Sequence, residues 1–315
     1  MSPDPLLDHV AQSPPMTRLL ALATAGMLAT TAWGQEVIRT GDWAVRGLKT
    51  TDFPRVKMLV PNVYSFEQID PTKRTVTVNN LIVITTDGVL VAEGQGTPEN
   101  VNRLTAAISQ LTPQPIRYVV IGSEHGDHTG GDGAFPDGVT FLVHPFSKPH
   151  VERRLKGPIE TVADRRVITL GGTEIQVLFL GRAHTGGDLE VYLPRQRVLF
   201  MSEVFSNRIF PSMANGFPTE WIETLKKAEQ MDADWYVPAH GFVDSAAILK
   251  EEERNYRSAL ERVSAEGKRL HDRHVDVENA TASAVFEPYD AWTRAANNAF
   301  AALKRVYMEL DGELK

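Results

Sequence analysis

The sequence predicts an α/β fold, and two observations carry that prediction. Short runs rich in β-branched and other apolar residues, at 81–84, 89–92 and 116–122, have the length and composition of buried strands. Between the second and third runs, Thr97 and Pro98 supply an N-cap and a first-turn proline for a helix that continues at helical spacing to residue 111. A strand, a crossover helix and a following strand indicate that sheet and helix layers pack together.

The remaining elements follow from the same patterns. Residues 43–45 and 62–66 are predicted as strands, the second at a sheet edge, and 70–73 and 86–88 as turns. The further predicted elements are strands at 139–144, 175–180, 197–201 and 235–239, and helices at 219–230, 245–270 and 288–310. On the helix at 245–270, we expect the three glutamates at 251–253 to lie on a solvated face.

A polar stretch follows the predicted strand at 116–122. Here His125, Asp127 and His128 offer two imidazoles and a carboxylate, a donor set that suits zinc or another divalent first-row metal. The alternative is a polar loop whose histidines cap turns, because short motifs also occur by chance.

Three later strands also end in metal-competent side chains. His184 lies in a glycine-rich turn after the strand at 175–180, Glu203 follows the strand at 197–201, and His240 ends a third apolar segment. Because open sheets place ligand sites at strand ends, this repetition predicts that the side chains meet in one site.

The order of these residues resembles the signature of the metallo-β-lactamase superfamily of zinc-dependent hydrolases. That signature runs His-x-His-x-Asp-His, then a histidine, a bridging acid and a last histidine. Here it falls on residues 123–128, His184, Glu203 and His240. Four ordered elements make the resemblance far more specific than any one motif.

The resemblance covers about residues 60–245 and implies a four-layer αββα sandwich. We therefore expect a leader at 1–34, a metallo-β-lactamase-like domain at 35–245, and a helical C-terminal extension at 246–315 packed on that domain. The metal ligands that the resemblance implies are His125, Asp127, His128, His184, Glu203 and His240.

Two positions depart from the family pattern. Ser123 stands in place of the first histidine, and Glu203 in place of the usual, shorter aspartate. The site of Asp127, His128 and His240 stays complete, with Glu203 able to bridge, whereas the other site keeps only His125 and His184. A serine hydroxyl is a poor ligand because it is hard to deprotonate. We therefore expect one tightly bound Zn²⁺ and a second ion that is weak or absent, while Glu124 faces away because successive strand residues alternate.

The function implied is that of a zinc-dependent hydrolase in which a metal-bound hydroxide attacks an acyl bond of an ester, thioester, lactone or β-lactam. Asp127 is expected to orient the water, and His125 and His184 to hold a second ion or to stabilise developing charge. Two alternatives stay open, a di-iron oxidoreductase of the same fold and a non-catalytic metal- or ligand-binding module. The chain has no cysteine, which excludes the cysteine-using β-lactamases as close relatives.

Composition and the N-terminal segment bear on partners and location. A net charge of -7 argues against a nucleic-acid partner, so a small-molecule acyl substrate is expected. Residues 16–34 have the positive start, short apolar run and small-x-small end of a secretory signal peptide; the alternative is a retained membrane anchor. We expect a periplasmic or secreted protein with no stable membrane insertion after processing, and the helices of 246–315 either cover the sandwich or form a homo-oligomer surface.

Overall fold

The computed structural model describes residues 37–314, and one compact unit, Ile38–Lys315, holds the elements of the fold. The strands are β1 Arg55–Val60, β2 Val63–Ile69, β3 Thr77–Thr85, β4 Gly88–Ala92, β5 Ile116–Val120, β6 Thr140–Val143, β7 Ile159–Thr161, β8 Arg165–Leu170, β9 Thr173–Leu178, β10 Glu190–Leu193, β11 Val198–Phe200 and β12 Trp235–Val237. The helices are α1 Pro98–Leu111, α2 Gly126–Thr129, α3 Lys148–Val151, α4 Pro218–Glu229, α5 Ala246–His271, α6 Val277–Ser283 and α7 Ala295–Leu310. Short 3-10 turns occupy Thr50–Asp52, Asp132–Ala134, Ser202–Val204 and Tyr289–Ala291.

Two mixed sheets form the centre of the fold. The first has seven strands in sequence order from β1 to β7, antiparallel up to β4 and parallel from β4 onward. The second has five strands in the order β12, β11, β10, β9, β8, and only the β11–β12 pair is parallel. The predicted strand, crossover helix and strand are therefore present as β4, α1 and β5.

Alternation along the strands of the first sheet separates two hydrophobic layers. In β3, Leu81 and Val83 belong to the hydrophobic cluster that also contains residues of the second sheet. Ile82 points the other way and packs with Leu104 and Ile108 of α1. Helices α4 and α5 pack on each other, and α5 packs on β12 of the second sheet. The fold is the predicted four-layer αββα sandwich with helices at its C-terminal end.

The C-terminal helices share the core of the sandwich. The ring of Tyr256 in α5 lies 6.0 Å from the ring of Trp221 in α4 and 6.4 Å from that of Trp292. At Gly267, α5 approaches α7 so closely that a Cβ atom would stand 2.7 Å from Val306 Cγ1. The domain boundary at 245/246 stays a prediction, since packing across it is continuous.

Two predicted elements near the N-terminal side were wrong. Residues 43–45 form turns, because Asp42 Oδ1 accepts a hydrogen bond from Ala44 N (2.8 Å) and Gly47 N donates to Ala44 O (2.9 Å). Strand β2, predicted at a sheet edge, lies inside the sheet because β1 pairs with its outer side. The weak alternation of β1 gave no indication of that strand.

The last predicted helix begins seven residues later than expected, at Ala295. A 3-10 turn precedes it, and Thr293 then forms a bridge with Ile209, with Phe210 N donating to Thr293 O at 2.9 Å. Arg294 follows with a φ of 67°. This tertiary pairing holds the chain extended over residues that have helical periodicity.

The placement of the glutamates at 251–253 on a solvated face was also wrong for two of them. Glu252 and Glu253 are both buried, with 1% of their surface exposed. Glu252 is compensated by Arg39 (3.0 Å) and Arg208 (2.6 Å). For Glu253 no ion pair is present within residues 37–314, and its Oε1 has no hydrogen-bond partner there.

The N-terminal prediction lies outside the described residues, which begin at Val37. This applies to the leader at 1–34 and to the signal peptide at 16–34. Among the helices of the described part of the chain, none is long and apolar enough to cross a membrane.

Glu253→Gln is expected to stabilise the protein, and more so at pH 8 than at pH 5. Burial, with a contribution from Glu229, raises the pKa of Glu253 to about 8 from its ordinary value of 4.5. Between these two values the unfolded chain releases a proton that the folded protein retains, so stability is lost as pH rises. Glutamine removes this penalty, so the free energy of unfolding of the variant should exceed that of the parent by roughly 1–3 kcal/mol at pH 8. Thermal melts at both pH values measure it, Glu278→Gln on the exposed face of α6 is the control, and a less stable Glu253→Gln at pH 8 would contradict it.

Candidate metal centre

The ends of four strands supply the candidate ligands. His125 precedes the single turn of α2, which follows β5 and carries Asp127 and His128. His184 lies in the loop after β9, Glu203 in the 3-10 turn after β11, and His240 after β12. The structure brings all six side chains together in two groups that share Glu203.

The first group contains Asp127, His128, Glu203 and His240. The Nε2 atoms of His128 and His240 are 3.1 Å apart, and they lie 3.7 and 3.5 Å from Asp127 Oδ2. Glu203 Oε1 lies 3.5 Å from His128 Nε2 and 3.3 Å from His240 Nε2. Three of these four residues are buried, and Asp127 is half-buried.

The second group contains His125, His184 and Glu203. Glu203 Oε2 lies 2.8 Å from His125 Nδ1, and Oε1 lies 3.1 Å from His184 Nε2. The two ring nitrogens are 3.1 Å from each other. With three side chains against four, this group offers a metal one ligand fewer.

The spacing of these atoms fits a small divalent ion. Bonds of about 2.1 Å from a tetrahedral zinc to nitrogen or oxygen place neighbouring ligand atoms about 3.4 Å apart. The distances in the first group, 3.1 to 3.7 Å, bracket that value. In addition, His240 Nδ1 lies 2.7 Å from Thr77 O, an acceptor that fixes the proton on Nδ1 and leaves the Nε2 lone pair free.

Ser123 contacts the shared ligand Glu203. Its hydroxyl is buried and donates to Glu203 Oε2 at 2.5 Å. The hydroxyl therefore orients a shared ligand, in a position where the superfamily signature has an imidazole. Glu124 belongs to neither ligand group, and its Oε2 accepts a hydrogen bond from Ser147 Oγ at 2.5 Å.

Three further residues contact the centre, and sequence reasoning missed them. The Lys73 ammonium contacts Asp127 Oδ2, and Glu93 Oε1 lies against His128 Nδ1 without hydrogen-bond alignment. Asn215 Nδ2 lies 3.1 Å from His125 Nε2. Lys73 and Asn215 lie in irregular segments, and only the position of Glu93 directly after β4, another strand end, could have indicated it.

Buried charges at the centre favour a cation. Burial acts to raise the pKa of Glu203, but His184, His128 and His125 outweigh it and hold that pKa well below its usual value. Burial also opposes ionisation of Asp127, and His128, with His240 and Lys73, lowers its pKa below the usual value. Both carboxylates are therefore ionised, as metal ligands must be, and a bound cation would supply the positive charge that the histidine rings supply to Glu203.

Residues 77–240 match the family model described as the metallo-beta-lactamase superfamily. That segment is more than half of the chain and includes all six candidate ligands. The protein belongs to the metallo-β-lactamase superfamily.

Individual relatives are distant and differ in activity. The chain is 26% identical over 161 residues to the 2,4-dinitroanisole O-demethylase subunit alpha of Nocardioides sp. (strain JS1661), which spans 49% of either protein. It is 22% identical over 230 residues to the metallo-beta-lactamase type 2 of Bacteroides fragilis, covering 70% of this chain and 92% of that protein.

Solved structures share the fold. A metallo-beta-lactamase from Pontibacter korlensis superimposes with a TM-score of 0.58 at 23% identity, over 65% of this chain and 98% of that one. The sec-alkylsulfatase Pisa1 from Pseudomonas sp. gives a TM-score of 0.66 at 15% identity, over 81% of this chain and 50% of that one. The chain therefore spans about half the length of the O-demethylase subunit and of the alkylsulfatase.

We expect the two groups to bind metal unequally. His240→Ala, which removes a ligand of the four-residue group, should weaken the tight site roughly 100-fold or more, whereas His184→Ala should leave it nearly unchanged. Metal content by elemental analysis after dialysis at low free zinc measures both effects. His150→Ala, outside both groups, is the control. Equal loss of metal in the His184 and His240 variants, or two equally tight ions in the parent protein, would contradict the unequal-site prediction.

Proposed function

We propose that the protein is a zinc-dependent hydrolase that cleaves an ester-type bond of a small molecule. The observation that carries this proposal is the pair of ligand groups joined at Glu203, with His125 at the wall of a cavity of 570 Å³. A divalent ion in such a site would supply Lewis acidity, which lowers the pKa of bound water to about 7 and polarises the bond to be broken.

The chain's own residues would hold and orient the reacting groups. Asp127, His128 and His240 bind on one side of Glu203, and His125 and His184 bind on the other. Hydrogen bonds fix the orientation of two of these ligands. Ser123 Oγ donates to Glu203, and the Thr77 carbonyl holds the His240 ring.

The side chains of Lys73 and Asn215 lie beside the metal ligands and can interact with negatively charged groups. The Lys73 ammonium lies between the carboxylates of Asp127 and Asp70, 3.6 Å from the latter. In a reaction that develops charge on oxygen, the Asn215 amide beside His125 is a suitable donor. We propose that Asn215 stabilises a substrate oxygen and that Lys73 keeps Asp127 ionised.

The bond to be cleaved is proposed at the level of its class. The acyl bonds of esters, thioesters, lactones and β-lactams suit attack by an activated water. The relatives described as an alkylsulfatase and an O-demethylase add sulfate esters and aryl ethers to the substrates worth testing. The di-iron alternative uses the same ligand types, because imidazole and carboxylate also bind iron.

Asp127→Ala is expected to reduce hydrolysis by at least ~100-fold, since it removes a ligand and a buried charge from the centre. The rate of hydrolysis is measured with zinc-loaded protein on a panel of substrates: 4-nitrophenyl acetate, a thioester, a lactone, nitrocefin and 4-nitrophenyl sulfate. Asp137→Ala, an exposed acid in the turn before β6, is the matched control.

Three outcomes would overturn the proposal. The first is absence of hydrolysis across the panel together with metal-dependent ligand binding, which would support a binding module. The second is activity that is unaffected by Asp127→Ala. The third is purified protein with iron absorption and oxygen consumption, which would support an oxidoreductase.

A further inference from the structure

The cavity beside His125 has features that select a ligand class. Its volume of 570 Å³ lies within the range of pockets that hold drug-sized molecules. Its wall includes Glu124, Phe146, His150, Arg154, Phe217 and Arg305. Arg305 belongs to α7, beyond the segment that matches the superfamily.

Arg154 reaches the cavity wall with only neutral partners. One of its terminal nitrogens donates to Thr129 Oγ1 at 2.5 Å, and the other donates to His150 O at 3.1 Å. In the described part of the chain no carboxylate lies within 4.0 Å of its guanidinium. These two contacts fix the guanidinium while leaving donors and the full charge available.

Arg305, which comes from a distant part of the sequence, resembles Arg154 in its contacts. Its Nε donates to Gly216 O at 2.5 Å and a terminal nitrogen donates to Asn215 O at 3.4 Å. The nearby acid Glu309 is occupied by Thr219, whose N and Oγ1 donate to it at 3.1 and 2.8 Å. Burial lowers the pKa of Arg305, Glu309 opposes that shift, and Arg182 adds to it. No carboxylate lies within 4.0 Å of this guanidinium in residues 37–314.

The neighbouring Arg182 shows the contrast. It also borders Phe217, with its guanidinium 4.1 Å from the ring centre, but it is paired with Glu220. A paired arginine offers little to an incoming anion. Arg154 and Arg305 keep that capacity.

The charge balance of the cavity is positive. Two guanidinium groups face one carboxylate, that of Glu124, and Glu124 already accepts a hydrogen bond from Ser147. One excess positive charge remains when His150 is neutral. The planar guanidinium group prefers anions that accept two parallel hydrogen bonds, such as carboxylate, sulfate or phosphate.

Aromatic rings supply an apolar surface in the same cavity. Phe146 has 46% of its surface exposed, which is unusual for phenylalanine, and its ring lies flat on the backbone at Gly186. A Cβ atom at Gly186 would stand 2.7 Å from that ring, so the present position of the ring depends on glycine there. Phe217, which is buried, borders the other side.

We propose that this cavity binds organic anions with an aromatic or apolar body, and that Arg154 and Arg305 hold the anionic group. The proposal deepens the proposed function by naming its substrate class, and it rests on that function for the link to catalysis. The apolar body then lies against Phe146, and the anion stays beside His125, next to the candidate metal centre.

Binding of benzenesulfonate by the zinc-loaded full chain, measured by calorimetry, tests the proposal. Arg305→Gln and Arg154→Gln should each raise its Kd roughly tenfold, because each removes a charge-assisted contact. Arg305→Lys keeps the charge but loses the paired hydrogen bonds, so its affinity should lie between those of the parent and of Arg305→Gln. The matched control is Arg153→Gln, an exposed neighbour with the same charge change, which should bind like the parent. Melting temperatures verify that every variant is folded.

Neutral methyl phenyl sulfone separates charge from shape, and should bind weakly and equally in all variants. Methanesulfonate should bind more weakly than benzenesulfonate, and Phe146→Ala should reduce that difference. Unchanged benzenesulfonate affinity in both arginine variants would overturn the proposal, as would equal affinity for the sulfone in the parent protein. In the first case, the anion is bound by the metal alone.

The ligand class and the proposed function fail separately. Arginine-dependent binding without hydrolysis of any panel substrate would support the ligand class and overturn the hydrolase. Hydrolysis of the anionic panel substrates nitrocefin and 4-nitrophenyl sulfate with no effect of Arg154→Gln or Arg305→Gln on KM would support the hydrolase and overturn the ligand class.

Discussion

Loops from both sheets meet at the carboxylate of Glu203, at one end of the sandwich. It is buried, and its two oxygens lie 2.8 to 3.5 Å from ring nitrogens of four histidines. Two of these histidines follow the first sheet and two follow the second. A buried ion without compensation costs several kcal/mol, so the positions of the four loops are tied to one another through this group.

This constraint accounts for several details around the centre. Ser123 donates to Glu203, and β3 reaches across to the last ligand loop, with Asn79 N donating to Ala239 O at 2.8 Å and Thr77 O accepting from His240. Backbone contacts between the sheets therefore set the angle of a ligand ring. A hydroxyl at 123 is compatible with this arrangement, because it orients the shared acid.

The sequence predicted the layers of the fold because strand and helix periodicities are local. The crossover helix at α1 follows from Thr97 and Pro98, and the ordered ligands indicated the superfamily. Long-range pairing could not be predicted in the same way. Thr293 is held extended by Ile209, and Glu252 is buried by Arg39 and Arg208, although local periodicity favours a helix in the first case and a solvated face in the second. Lys73 and Arg305 were missed for the same reason, because loop folding and helix docking bring them to the site.

The origin of Arg305 in a helix beyond the matched segment has an evolutionary consequence. This cavity residue is encoded apart from the candidate metal ligands, and α7 packs on α4, α5 and α6, with Leu303 and Val306 in the shared core. Exchanges on the cavity-facing side of that helix would therefore change the cavity while leaving the ion-binding loops untouched. In this architecture, new specificities can arise without rebuilding the chemistry.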